Sequence, residues 1–183
     1  MKYTNTTIPD VKIIEPNVFG DERGFFMETY RSDEFIKHCS SKPFLQDNHS
    51  KSSHGILRGL HYQTKNPQGK LVRVTSGMVY DVAVDMRKNS AFFGQHVGVI
   101  ISAENKRQLW VPEGFAHGFY VMSESAEFVY KCTDYYYPQY EVSLLWSDLD
   151  LAIDWPLIDN ALPTLSEKDN TAFRFQDAPV FDV

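Results

Sequence analysis

Basic charge, cysteine, long apolar runs and glycine-rich loops are all scarce in this sequence, and each scarcity removes a class of protein. The 183 residues carry 18 Lys and Arg against 24 Asp and Glu, a formal net charge of −6. A binder of polymeric nucleic acid presents a basic surface, so this balance argues for no nucleic-acid partner. A small anionic ligand is still allowed, because a few placed arginines and lysines hold a phosphate whatever the net charge. No stretch approaches the ~20 apolar residues that a membrane helix requires, so no membrane partner is expected. The start, Met1 to Val11, is polar and lacks the apolar centre of a signal peptide. The only cysteines, Cys39 and Cys132, have no metal-type spacing. Parity permits a disulfide, but with no secretory signal the expectation is a reduced, cytoplasmic protein. Neither a dinucleotide glycine fingerprint nor a phosphate-cradling loop occurs. No repeat or linker divides the chain, so a single domain over 1–183 is expected.

What the sequence has instead is aromatics and strand signals. Phe and Tyr number 13 and 10, which favours β structure and supplies flat faces for a ring-shaped ligand. Short strand-length segments follow one another, separated by turn residues: Val11–Phe19, Gly24–Tyr30, Gln46–Ser52, Ile56–Gln63, Leu71–Thr75 and Met78–Met86. Further strands are expected at Gly94–Ile101, Arg107–Val111, Ala116–Val121, Ala126–Thr133 and Val142–Trp146. Val82, Val84 and Met86 alternate with Ala83 and Asp85, the period of a strand. Helix is confined to two short candidates, Asp33–Cys39 capped from Ser32, and Glu167–Ala172 capped by Ser166. The pattern is that of an all-β sandwich or jelly roll with a few short peripheral helices.

Three segments place ionisable residues where a strand should be apolar. Arg58-Gly59-Leu60-His61-Tyr62-Gln63 would put Arg58, Leu60 and Tyr62 on one face and Gly59, His61 and Gln63 on the other. Gly59 leaves room beside His61 for a close backbone or ligand approach. Lys70 stands at the mouth of the next strand, and Tyr130 to Pro138 runs from a strand end into three consecutive tyrosines. Taken singly, each has an ordinary explanation: a hydrogen-bonded strand histidine, a solvated lysine, a packing cluster.

Together and in this order, the segments resemble the dTDP-4-dehydrorhamnose 3,5-epimerase family of dTDP-sugar epimerases. The resemblance includes Phe19 to Glu28 (FGDERGFFME), Gln46 to Ser50 (QDNHS), Arg58 to Gln63, Gln68 to Arg73 and Asp81 to Asp85. It continues through Asn105 to Phe119 (NKRQLWVPEGFAHGF), Tyr130 to Tyr136, Asp150 to Pro156 and Leu165 to Asp169. The resemblance implies a cupin-type jelly-roll β-sandwich, a homodimer, a dTDP-sugar substrate and no cofactor or metal. In a 4-keto sugar both C3 and C5 flank the carbonyl, so the substrate supplies its own electron sink. By the resemblance His61 is the base, Asp169 its partner, Lys70 the stabiliser of the C4 oxyanion and Tyr130 the acid. Asp169 would otherwise read as an ordinary acid at a helix start. Arg23 and Arg58 match diphosphate-binding positions, Tyr136 the aromatic that stacks on the base, and His117 a contact beside the sugar. Phe19, Phe26, Glu28, Gln46, Asp47, Asn48, Glu141 and Lys168 match further substrate-contact positions.

The chemistry agrees with these assignments. A neutral imidazole can accept a proton near neutral pH, and a phenol is protonated there. Three alternatives stay open. A mono-epimerase, or an epimerase for another deoxysugar, would use the same base and acid. A metal-dependent cupin would draw on Pro112 to His117, but Leu60-His61-Tyr62 offers one imidazole where a His-x-His pair is usual. A binding module would need Arg23, Arg58 and Tyr136, yet has no use for His61, Lys70 and Tyr130.

Overall fold

Each long strand of this chain offers an apolar stripe, and two sheets meet along those stripes. The computed structural model describes all residues, 1–183. One sheet has six strands in the order β1 (Lys2–Asn5), β2 (Lys12–Glu15), β10 (Gln108–Val111), β7 (Lys70–Ser76), β12 (Ser125–Cys132) and β5 (Gln46–Ser53). The other has five, in the order β13 (Glu141–Ser143), β6 (Leu57–Gln63), β11 (Phe115–Val121), β8 (Met78–Asp85) and β9 (His96–Ser102). All pairings within the two sheets are antiparallel. A separate two-stranded hairpin is formed by β3 (Val18–Asp21) and β4 (Gly24–Met27).

The core between the sheets draws on both: Val72 and Val74 from β7, Leu109 from β10 and Phe128 from β12 meet Ala83, Val99, Phe119 and Val121. Strand β8 shows how alternation sorts the chain. Val79 and Ala83 enter this core, whereas Val82 and Val84 face outward into a second cluster with Leu57, Leu60, Tyr62 and Leu144. The C-terminal segment covers that outer face through Trp155, Phe175, Ala178 and Phe181. Phe181 is tied down by backbone bonds to Met86 and Lys88. Strand β11 is buried along its whole length, which explains its nearly continuous apolar sequence.

Several boundaries differ from expectation for identifiable reasons. The expected strand Val11–Phe19 is split at Pro16-Asn17 into β2 and β3, because proline has no N–H for the ladder. Strand β1 has a polar sequence with no strand signal of its own; it pairs with β2 alone at the edge of its sheet, with only partial burial. Helix α1 (Ser32–His38) has Arg31, not Ser32, at the N-cap, and no side chain caps it. Its Phe35 packs edge-on against Trp110, with ring centroids 5.0 Å apart, and so fixes α1 to the outer face of the six-stranded sheet. Helix α2 (Glu167–Asn170) is capped by Ser166 as expected, and is one turn long. Both cysteine thiols are free.

Candidate active site

Polar residues at inward-facing strand positions prevent the two sheets from closing completely, and a cavity of about 500 Å³ lies between them. Gln46, Asn48 and Ser50 line it from β5, while Asp47, His49 and Lys51 face outward, a clean period of two. Tyr130 and Phe128 line it from β12, and Lys70 from the start of β7. The facing wall carries Arg58 and His61 of β6 and His117 and Phe119 of β11. The stacked rings of Phe119 and Phe128, with centroids 4.2 Å apart, join the two walls.

Simple alternation predicts Arg58 and His61 on opposite faces of β6. The structure corrects this. Across β11 and β6 the register runs His117↔His61 and then Phe119↔Arg58, so β6 has one extra residue at this point. Leu57 and Leu60, three apart, consequently share the outer cluster, and Arg58 and His61, also three apart, share the cavity. The shift is permitted by two glycines. A Cβ on Gly59, whose φ is +126°, would stand 2.5 Å from Gly118 Cα, and a Cβ on Gly118 would stand 2.7 Å from the Arg58 carbonyl oxygen. The space at Gly59 therefore admits the backbone of β11.

His61 bonds through Nε2 to Asp169 Oδ1 at 2.5 Å, across 108 positions of sequence. Asp169 is almost wholly buried, and its other oxygen accepts the Ser166 hydroxyl at 2.8 Å. Burial pushes this carboxyl upward, but the hydrogen bond and charge of His61 outweigh it, with help from Ser166, and hold Asp169 below the ordinary range. An ionised Asp169 accepting from Nε2–H leaves the Nδ1 lone pair of His61 free to accept a proton. A second pair, His117 Nε2 with both oxygens of Asp81 at 2.9 and 3.0 Å, lies in the same wall. Burial raises the Asp81 carboxyl, opposed by His117 and then Lys70. Sequence reasoning assigns no role to Asp81; the available signal is a carboxylate on the inward side of a strand whose neighbours are apolar.

Lys70 is half-buried and no carboxylate reaches its ammonium; desolvation lowers its pKa, countered by Cys132, Glu141 and Asp81. The Tyr130 hydroxyl has no protein partner, and burial raises it to about 12, with the nearby Arg58 acting in the opposite direction. Arg58 donates Nε to Ser52 Oγ at 2.9 Å, which leaves its two terminal amino groups for a ligand. Of the three consecutive tyrosines only Tyr136 lines the cavity; Tyr137 packs against Tyr140. Glu141 Oε2 accepts from both the Tyr136 hydroxyl at 3.0 Å and Lys168 Nζ at 2.8 Å. Burial pushes Glu141 up, but Lys168, His61 and Tyr136 together bring it below its ordinary value.

Five expected site residues lie outside this cavity. Asp47 faces outward from β5 and pairs with Lys131 at 3.0 Å. Phe19, Arg23 and Phe26 line a shallow surface depression of the hairpin, and Glu28 is exposed just beyond it. No three His, Cys, Asp or Glu side chains converge as metal donors; Glu113 of the cupin-like segment accepts the Thr133 hydroxyl at 2.6 Å.

Comparison with known proteins shows the family. A sequence model of the dTDP-4-dehydrorhamnose 3,5-epimerases matches residues 5–177. A dTDP-4-dehydrorhamnose 3,5-epimerase of Pseudomonas aeruginosa is 57% identical over 182 residues, covering 99% of both chains. One from Salmonella typhimurium is 60% identical over 174 residues, 94% of both. The crystal structure of dTDP-6-deoxy-D-glucose-3,5-epimerase from Legionella pneumophila, in complex with dTDP-4-keto-L-rhamnose, superposes with a TM-score of 0.92. It is 53% identical, over 96% of this chain and 93% of that one. A two-sheet sandwich with a His–Asp pair, a lysine and a tyrosine around one cavity, and identity above half along nearly the whole length, lead to one conclusion: the chain belongs to the dTDP-4-dehydrorhamnose 3,5-epimerase family.

Proposed function

We propose that the cavity inverts C3 and C5 of dTDP-4-dehydro-6-deoxy-D-glucose to give dTDP-4-dehydro-L-rhamnose, with His61 as base and Tyr130 as acid. Nδ1 of His61 takes the proton from a carbon beside the C4 ketone, and the electron pair moves onto the ketone oxygen. The Lys70 ammonium stabilises that oxyanion, and Asp169 stabilises the imidazolium. Tyr130 then delivers its hydroxyl proton to the carbon from the other side, and exchange with solvent restores both groups. One observation carries this reading above the rest. His61 projects from β6 and Tyr130 from β12, strands of facing sheets, into the same cavity. A sugar ring between them has base and acid on opposite faces, which is what inversion demands. By the resemblance Arg58, together with Arg23, serves the diphosphate end, Lys168 is a further substrate contact, and Tyr136 supplies a flat face for the base. Both sheets, and residues from Gln46 to Asp169, build the one cavity, which supports treating 1–183 as a single domain. A cytoplasmic location accompanies a nucleotide-sugar substrate.

The hairpin supports a homodimer. Phe19, Phe25 and Phe26 are 65, 60 and 71% exposed on a two-stranded ribbon that cannot bury them itself. The resemblance nevertheless assigns Phe19, Arg23, Phe26 and Glu28 to the substrate. Both facts are met if two chains exchange hairpins, so that Arg23 of the partner subunit reaches this chain's cavity and the Phe side chains are covered.

Solvent exchange tests the reading. In deuterated water the wild type should place deuterium at both C3 and C5 of a doubly inverted product. His61→Asn should suppress exchange at both carbons by ~10²–10⁴. Tyr130→Phe should still exchange, with little L-configured product. Wild-type exchange in His61→Asn would remove the base assignment, and a normal yield of inverted sugar from Tyr130→Phe would remove the acid. Inversion at one carbon only in the wild-type product would favour a mono-epimerase.

A further inference from the structure

Three glutamine side chains hold four consecutive residues of the segment between β12 and β13. Gln68 Nε2 donates to the Asp134 carbonyl at 2.8 Å, and Gln63 Nε2 donates to that of Tyr135 at 3.2 Å. The Tyr136 N–H donates to Gln46 Oε1 at 2.9 Å, and the Tyr137 N–H donates to Gln63 Oε1 at 2.7 Å. Gln63 is only 3% exposed, and Nε2 also donates to the Asn66 carbonyl at 2.7 Å. Both amide donors and the acceptor of one buried side chain thus bind backbone, and one donor and the acceptor do so at the two neighbours of Tyr136. Surface segments usually leave such groups to water. Here a residue two places from His61 on β6 ties the tyrosine segment to the strand that carries the base. The far end of the ring is held as well, because Glu141, the cross-strand partner of Gln63, accepts the Tyr136 hydroxyl.

We propose that Gln63, assisted by Gln68, is a positioning residue for nucleotide binding: it fixes the Tyr135–Tyr137 backbone so that the Tyr136 ring stands ready at the cavity for a flat base. The proposal rests on reading Tyr136 as the base-stacking residue. A ring fixed before the ligand arrives avoids the ordering cost that a free segment incurs on binding. The reacting end of the sugar lies elsewhere, at His61, Lys70 and Tyr130, so loss of the cradle affects affinity and spares the chemistry.

A double-mutant cycle with dTDP and the nucleotide sugar tests this. Gln63→Leu retains bulk and removes every bond of the amide. It should raise the KM for the sugar nucleotide and the Kd for dTDP on the order of tenfold, about 1.4 kcal/mol, with kcat at saturation retained. Tyr136→Ala should do the same, and adding Gln63→Leu to Tyr136→Ala should cost nothing more, since the two act as one unit. A Tyr136→Ala variant with unchanged KM overturns the stacking reading and the proposal with it. If Tyr136→Ala weakens binding but Gln63→Leu does not, or if the two losses multiply, the stacking reading stands and the positioning role is wrong. Should Gln63→Leu fail to fold, Gln68→Ala, in the connection before β7, takes its place in the cycle: weaker binding that is not additive with Tyr136→Ala supports the cradle, and unchanged or additive binding overturns it.

Discussion

Lys70 stands half-buried on β7 without a counter-ion, and desolvation lowers its pKa despite the opposing influence of Cys132, Glu141 and Asp81. The ammonium is the form that stabilises an oxyanion, and as pH rises it is lost earlier than from an ordinary lysine with pKa 10.5. Tyr130, raised to about 12, keeps its proton through that range. The pH profile of kcat should therefore fall on its alkaline side below pH 10.5. Lys70→Arg keeps a charge throughout, so this limb should disappear, although the rate drops because a planar fork does not replace a point charge. A limb that persists unchanged in Lys70→Arg belongs to another group.

At the scale of the element, the close approach of β6 and β11 brings the Arg58 guanidinium and the His61 imidazole to one side. The extra residue of β6 between Arg58 and His61 is accommodated because neither Gly59 nor Gly118 has a side chain. Gly59→Ala would meet Gly118 Cα at 2.5 Å and the His117 carbonyl oxygen at 2.8 Å, from a backbone conformation that L-residues rarely adopt. The conformation alone costs about 1–3 kcal/mol, and separating the strands adds to it. The denaturant midpoint should fall accordingly, and kcat should fall further than stability explains, because Arg58 and His61 are displaced relative to each other. A Gly59→Ala protein with wild-type midpoint and rate would mean that the register shift does not depend on this contact.

For the whole molecule, the proposed exchange of hairpins between two chains leads to a prediction that a monomer cannot meet. Arg23→Ala damages the hairpin and Lys70→Ala damages the cavity, so each homodimer should be inactive or nearly so. When the two are mixed under conditions that allow subunit exchange, each heterodimer contains one cavity with Lys70 served by a hairpin with Arg23. Random pairing restores about a quarter of wild-type activity. No recovery, or sedimentation as a monomer at micromolar concentration, would argue that the hairpin serves its own chain. Short-range order and long-range contact divide the features of this chain in the same way. Alternation is a property of consecutive residues, so the amino-acid order by itself determined that β5 turns Gln46 and Asn48 to one side and Asp47 to the other, and that Val82 and Val84 share a face. It also determined the cap of Ser166 on α2, since capping acts within one turn. The strings around His61, Lys70 and Tyr130 were long enough to indicate the family. Only the tertiary structure decided which side of β5 is the cavity, because that depends on which sheet faces it. Only the neighbouring strand decided that Arg58 and His61 share a wall, since a register shift is set by the partner's backbone. The His117–Asp81 bond and the Gln63 cradle join residues 36 and 72–74 positions apart, distances at which sequence order carries no geometry until the strands have paired.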